Sequence, residues 1–103
     1  MLTVIETPIF QRDAARIWSS EERDEFVGWI AENPEAGDVI PGAHGLRKVR
    51  WTRAGMGKRG GARVVYWLRL SAGEVVLLTV YGKSTQANLS AAFLRALAKQ
   101  FEG

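Results

Sequence analysis

Residues 61–83, "GARVVYWLRLSAGEVVLLTVYGK", carry the clearest signal for secondary structure in this chain. Two segments rich in β-branched and aromatic residues, 62–70 and 74–83, flank a connection of Ser71, Ala72 and Gly73. Such segments, separated by a short connection that contains glycine, are typical of two antiparallel strands joined as a hairpin. The sequence therefore predicts a β-hairpin in the central sheet of the domain.

The alternation of side chains along the two strands predicts how they pair. The even-numbered residues from 62 to 70 and from 76 to 80 are apolar, so we expect them to share one core face. That requirement sets Val64 opposite Val80 and Leu68 opposite Val76 across the three-residue connection. The odd-numbered residues then lie on the opposite face of the sheet.

The other elements follow from capping and breaking signals on either side of the hairpin. Ser19 and Glu22 form a capping box, Pro8 suits the first turn of a helix, and Pro34 stops one. The expected elements are a strand over 2–5, a helix from Pro8 through Ile17, a helix from Ser19 to Asn33, a loop over 35–45, a strand over 46–51, and a final helix with Ser90 as N-cap. The predicted fold class is α+β, a sandwich with an antiparallel-dominated four-stranded sheet, two N-terminal helices and a C-terminal helix (β-α-α-β-β-β-α).

Length and composition exclude several classes of protein. The 103 residues suit one domain over residues 1–103 and are too few for nucleotide-cofactor folds of several hundred residues. No apolar run approaches the roughly 18 residues that cross a bilayer, and the N-terminus has no secretion-signal pattern, so we expect a cytoplasmic protein without membrane contact. The chain has no cysteine and one histidine, His44, so we expect no metal and no cofactor.

The basic residues are concentrated in the middle of the chain. No Asp or Glu occurs between Asp38 and Glu74, while eight basic residues do: Arg47, Lys48, Arg50, Arg53, Lys58, Arg59, Arg63 and Arg69. This concentration is typical of a site for a polyanion, most often a nucleic acid. The alternative is a solvated basic face that keeps the protein soluble.

Residues 55–60, "GMGKRG", satisfy the G-x-G-x-x-G pattern, but a strand follows them where a dinucleotide site needs a helix. We therefore interpret them as a hairpin loop that presents Lys58 and Arg59 to an external nucleic-acid backbone. Arg47 and Arg53 are the other residues expected to contact the nucleic acid.

A candidate catalytic cluster is expected on the odd-numbered face of the hairpin, where the register sets Arg63 opposite Tyr81. Val49 and Trp51 are expected to face the core, because burying the neighbouring cations unpaired would cost several kcal/mol. The predicted catalytic residues are Lys48, Arg50, Arg63, Tyr81 and Lys83.

This set of residues suits cleavage of RNA by its own 2′-hydroxyl. The reaction needs a base at that hydroxyl, cations around the phosphorane charge and an acid at the leaving oxygen. A crowded lysine can serve as base or acid, while Arg63 stays charged and stabilises the transition state. Tyr81 either positions the phosphate, stacks on a base or is a partly buried tyrosine at the sheet edge. Which groups are the acid and the base stays open.

Three stretches together resemble the RelE/ParE toxin superfamily, especially its phage-type HigB branch: "NPEAGDVIPGAHGLRKVRW", "GMGKRGGARVVYW" and "LLTVYGKS" followed by "NLS". The resemblance implies a type II toxin that cleaves messenger RNA in the ribosomal A site without a metal. It also implies inhibition by a cognate helix-turn-helix antitoxin, with operator DNA contacted only through that antitoxin.

The resemblance also assigns individual positions. It gives Lys48 and Arg50 the place of two catalytic cations and Arg63 that of the central arginine. The sequence departs at Ser84 and Ser90, where members of the RelE type have an arginine and a base-stacking tyrosine. Tyr81 and Lys83 are the candidates to replace them.

Two other functions fit the same fold and charge. A ParE-like gyrase poison shares the fold, although the retention of Lys48, Arg50 and Arg63 favours RNA cleavage. A non-catalytic nucleic-acid-binding module would use the basic face to bind nucleic acid, with a strong dependence on salt, and would not cleave it.

Overall fold

The computed structural model describes residues 2–52, 61–82 and 91–99. Its elements are β1 (Thr3–Glu6), α1 (Pro8–Ile17), α2 (Ser20–Glu32), β2 (Asp38–Val39), β3 (Arg47–Trp51), β4 (Ala62–Arg69), β5 (Glu74–Gly82) and α3 (Ala91–Lys99). A short 3-10 turn, Leu70–Ala72, joins β4 to β5. The predicted α+β class and the order of helices are confirmed.

The sheet has five strands in the order β1-β5-β4-β3-β2, with β1 parallel to β5 and the other pairs antiparallel. The prediction of four strands was wrong by one. The additional strand, β2, lies inside the segment 35–45 that was expected to be a loop. Two residues are too few to show an alternating pattern, so sequence periodicity cannot reveal a strand of this length.

The first two helices begin at the residues that their capping signals indicate. Thr7 caps α1: its Oγ1 accepts a hydrogen bond from the Phe10 N–H at 3.2 Å and donates to the Leu77 carbonyl at 2.8 Å. Ser19 and Glu22 form the predicted capping box of α2, with reciprocal hydrogen bonds of 3.1 and 2.8 Å. Thr7 therefore caps α1 and also fastens its start to β5.

Apolar side chains form a core on each face of the sheet. The first core, between the sheet and helices α1 and α2, includes Phe10, Trp18, Phe26, Ile30, Val49, Val64, Tyr66, Val75 and Leu77. The second core, between the other face, α3 and the segment before β3, includes Ala43, Leu46, Val65, Val76, Leu78, Tyr81, Leu94 and Leu97. The central strands are thus covered on both sides.

The predicted hairpin register is correct at Val64 and Val80 and wrong in the half that lies next to the connection between the strands. Val64 lies opposite Val80 as expected, but Leu68 lies opposite Val75 rather than Val76. The register shifts between Val65 and Tyr66, where the partners are Thr79 and Leu77, so that Leu78 is an extra residue in β5. A bulge of this kind reverses which side chains face which core.

Because of the bulge, the prediction that Val76 and Leu78 share one core face with Val80 was wrong. Val75 and Leu77 pack in the first core, while Val76 and Leu78 pack in the second. Because β5 is buried on both faces, its sequence is apolar at odd and even positions alike and carries no alternation that locates a bulge.

Among residues 2–52, 61–82 and 91–99, no helix is long and apolar enough to cross a membrane.

Candidate active site

Three strands bring Arg50, Arg63 and Tyr81 into one row across the sheet. Arg50 of β3 lies opposite Arg63 of β4, and Arg63 lies opposite Tyr81 of β5. Lys48 lies two residues before Arg50 on the same strand, opposite Val65. Residues opposite each other share a face of the sheet. We call Lys48, Arg50, Arg63 and Tyr81 the candidate site.

The aromatic end of β3 determines which way these cations point. Trp51 packs edge-on against Trp18 and Phe26, with ring centroids 5.5 Å from each, and Val49 is buried in the same first core. Side chains alternate along a strand, so Lys48 and Arg50 project from the other face and are exposed to solvent. The predicted orientation of β3 is confirmed.

Arg63 is half-buried, and one of its guanidinium nitrogens is shielded from solvent. The Nη1 atom is buried and has no hydrogen-bond partner among the described residues. A buried donor without an acceptor costs about 1–3 kcal/mol, and more when the group is charged. The arrangement favours an anion that accepts from Arg63, because guanidinium has donors only.

Tyr81 is more deeply placed than a surface tyrosine, with 7% of its surface exposed. It packs in the second core with Leu94 and Leu97 of α3. Burial raises the pKa of the Tyr81 phenol, and the positive charge of Arg63 partly offsets that rise. The phenol therefore keeps its proton and can donate a hydrogen bond, which suits phosphate positioning better than stacking on a base.

Arg47 lies on the face of the sheet opposite to the candidate site, and its guanidinium is hydrogen-bonded to the backbone. Its Nη1 donates to the carbonyl of Gly37 at 2.8 Å and to that of Glu35 at 3.4 Å. Its cross-strand partner is Tyr66. The structure thus separates Arg47 from the candidate site and gives it a structural task, while its expected contact with RNA stays a prediction.

Tyr66 anchors the segment that leads into β2. Its hydroxyl donates to the Pro34 carbonyl at 2.7 Å and accepts from the Gly37 N–H at 2.9 Å. Burial raises the pKa of this phenol, although the bond from Gly37 acts in the opposite direction. We call Tyr66, Arg47 and the segment Pro34–Gly37 the anchor. Sequence reasoning missed it, because Tyr66 matches an ordinary core position of a strand.

Two carboxylates near the site were also missed. Asp38 of β2 lies opposite Lys48, and Asp13 of α1 accepts a hydrogen bond from Thr79 Oγ1 at 2.9 Å. Neither residue has a sequence neighbour in the candidate site, so only the sheet order and the packing of α1 reveal their positions.

Four other predicted site residues, Arg53, Lys58, Arg59 and Lys83, lie outside the described residues, as do Ser84 and Ser90. Their roles stay predictions.

Within the described ranges, no three His, Asp or Glu side chains come together as metal ligands would. Two surface depressions of about 530 and 320 Å³ lie at the end of α2 and the loop after it, lined by Leu2, Ala31, Glu32, Asn33, Pro34, Glu35, Ala36 and Leu70. None of these residues belongs to the candidate site, which is a face of the sheet.

Two solved structures of the toxin RelE of Escherichia coli are similar to this chain in architecture. A mutant of the toxin RelE in the free state has a TM-score of 0.61 at 17% sequence identity, over 99% of this chain and 98% of that one. The isolated RelE toxin gives 0.57 at 16% identity, over 97% and 99%. The likeness therefore covers nearly the whole of both chains, and this chain has the RelE fold.

The intact E. coli RelBE toxin-antitoxin complex gives a TM-score of 0.56 at 17% identity, over 84% of this chain and 100% of that one. No protein-family model matches the chain.

Proposed function

We propose that this chain is the toxin of a type II toxin–antitoxin system and acts as a ribosome-dependent endoribonuclease. The observation that carries the proposal is the row of Arg50, Arg63 and Tyr81, in which a buried guanidinium nitrogen has no partner among the described residues. An RNA phosphate supplies the acceptor oxygens that such a nitrogen needs. The likeness in fold to RelE supports the same conclusion.

The proposed reaction is attack of the RNA's own 2′-hydroxyl on the adjacent phosphorus, with no metal ion. Arg63 holds the non-bridging phosphate oxygens and stabilises the charge that develops on them. Arg50, exposed beside it, adds a second cation, and the protonated phenol of Tyr81 donates to the same phosphate. Lys48 is proposed to act as an acid or a base.

Supporting contacts complete the proposal. Arg53, Lys58 and Arg59 contact the RNA or ribosome backbone, and Lys83 joins the catalytic cluster next to Tyr81. The substrate is messenger RNA in the ribosomal A site. No metal or cofactor takes part in the proposed reaction.

We also propose that a cognate antitoxin inhibits the toxin. The support is the likeness to the toxin–antitoxin complex RelBE. The antitoxin is proposed to be a helix-turn-helix protein, through which alone the toxin reaches operator DNA. Assignment to the HigB branch belongs to this proposal and rests on the three sequence stretches quoted above.

Cleavage on programmed ribosomes tests the proposed function. Purified wild-type protein is added to ribosomes carrying a defined message with a filled P site, and the 5′ and 3′ ends of the products are mapped. We expect ends that fall within the A-site codon and a 2′,3′-cyclic phosphate on the upstream product. Intact messages, with a protein that still arrests growth, contradict the proposal.

A further inference from the structure

A carboxylate lies beside the candidate site, although the basic segment itself has none. Asp38 of β2 and Lys48 of β3 are directly opposite in an antiparallel pair. Opposite side chains share a face, and their Cβ atoms are about 4.5–5.5 Å apart. Both residues are exposed to solvent. The sheet therefore sets an acceptor and a donor side by side at the open edge of the cationic face.

The anchor holds Asp38 in this position. Gly37, the residue before Asp38, donates from its N–H to Tyr66 at 2.9 Å and accepts from Arg47 at 2.8 Å. Its backbone is thus bonded at both polar groups to two residues of the central sheet. A two-residue strand alone would pair weakly, but with this support its register against β3 is determined.

Other groups near the site are less suited to accept a proton. Tyr81 is buried, and burial raises its pKa. The carboxylate of Asp13 is occupied, since Thr79 donates to one oxygen at 2.9 Å and Arg12 lies 3.5 Å from the other. A carboxylate accepts protons and a lysine ammonium donates them. The exposed pair at the sheet edge has one of each.

We propose that Asp38 is a further catalytic residue, the general base that removes the proton of the 2′-hydroxyl, and that Lys48 opposite it is the general acid. This inference rests on the proposed function and deepens it. The 2′-oxygen forms a bond to phosphorus as its proton passes to an Asp38 oxygen. The bond from phosphorus to the 5′-oxygen breaks, and that oxygen takes a proton from the Lys48 ammonium. The products are a 2′,3′-cyclic phosphate and a 5′-hydroxyl.

The pairing of the two residues also restores the enzyme. After one turnover Asp38 carries a proton that Lys48 has lost. Because the two side chains are cross-strand neighbours and both are exposed to solvent, the proton returns through water, without any other protein group.

A sulfur-substituted message tests the base and acid roles separately. In this message the 5′-oxygen at the cleaved linkage is replaced by sulfur, a leaving group that needs no proton. Asp38→Asn, Lys48→Met and the control Asp24→Asn, an exposed carboxylate on α2, are compared with wild type on programmed ribosomes. The normal and the substituted message are both cleaved at saturating protein.

The expected pattern is asymmetric. Asp38→Asn slows cleavage of both messages about 100-fold or more, the usual range for loss of a general base. Lys48→Met slows the normal message similarly but cleaves the sulfur message at near the wild-type rate. Asp38→Glu keeps part of the activity, and Asp24→Asn cleaves both messages as wild type does.

Two results overturn the inference while the proposed function stands: wild-type rates for Asp38→Asn, or a defect in Asp38→Asn that the sulfur message relieves. Intact normal messages with the wild-type protein overturn both together.

Discussion

Arg63 and Tyr81 are cross-strand neighbours, and the charge of one acts on the phenol of the other. Tyr81 lies opposite Arg63, and the positive charge of Arg63 lowers the pKa of a phenol that burial raises. The guanidinium in turn has a buried nitrogen without a partner among the described residues. A buried donor that lacks an acceptor within the described part of the chain lowers stability, which is common where a ligand supplies the missing contact.

The two phenols give a pH dependence with a definite sign. Tyr66 and Tyr81 are the two tyrosines of the chain, and burial raises the pKa of both. The folded state therefore holds these protons more tightly than the unfolded state, whose phenols titrate at about pH 10. Their contribution to stability is fully present below about pH 10 and is lost as the pH rises through the folded-state values. Phenolate absorbance should rise only above about pH 10 in the native protein and at about pH 10 in urea. Native phenols that titrate like those in urea would contradict the burial of both rings.

Gly37 and Gly28 form a matched pair of glycines. A Cβ on Gly37 would lie 2.8 Å from the Tyr66 ring and hydroxyl and 2.9 Å from the Lys48 carbonyl, whereas a Cβ on Gly28 meets nothing within 4 Å. We expect Gly37→Ala to lower the free energy of unfolding by about 1–3 kcal/mol. Gly28→Ala, in α2, should raise it by about 0.5–1 kcal/mol. Urea denaturation measures both, and equal effects would contradict the close packing of Gly37.

The anchor predicts that Arg47 acts on stability. Arg47→Ala removes hydrogen bonds to the carbonyls of Gly37 and Glu35. We expect a loss of about 1–3 kcal/mol in the free energy of unfolding, because a charged donor is lost from two carbonyls, and the bond to Gly37 is part-buried. RNA affinity at temperatures where the variant is folded should fall little. A large loss of affinity with unchanged stability would instead support the RNA contact that the sequence predicted.

The sequence predicts best those features that repeat along the chain. The pairing of Val64 with Val80 could be predicted from alternation. The orientation of β3 could be predicted from the cost of burying Lys48 and Arg50. The pairing beyond Val65 could not be predicted, because residues 75–80, "VVLLTV", are buried on both faces of the sheet. A one-residue bulge therefore leaves no mark in their pattern. No local pattern indicates that α3 covers the face of the sheet that carries Tyr81.

Contacts between distant segments account for the rest. Asp38 belongs to a two-residue strand whose place depends on Tyr66, 28 positions later, and on Arg47. Its position opposite Lys48 is a consequence of sheet order, which local patterns do not encode. Residue types suggested the chemistry of the cations, but only the pairing of strands placed a carboxylate beside them.

A gyrase poison with the same fold would behave differently in cells. The proposed function predicts truncated messages and no induction of the DNA-damage response when the protein is expressed. Northern analysis of abundant messages beside a damage-inducible reporter separates the two. DNA damage with full-length messages would favour the ParE-like function.

Arg63 is proposed to stabilise the transition state, and the cleavage rate of Arg63→Ala measures that role. The control is Arg69→Ala on the same strand, where the guanidinium lies 3.6 Å from Glu74 and 5.2 Å from the centre of the Trp67 ring. On programmed ribosomes we expect Arg63→Ala to leave messages intact. Its free energy of unfolding should stay within about 1 kcal/mol of wild type or exceed it, because the substitution removes a buried nitrogen that has no acceptor among residues 2–52, 61–82 and 91–99. Arg69→Ala should cleave normally and lose at most about 1 kcal/mol. Wild-type cleavage by Arg63→Ala, in a protein that is folded, would contradict a catalytic role for Arg63.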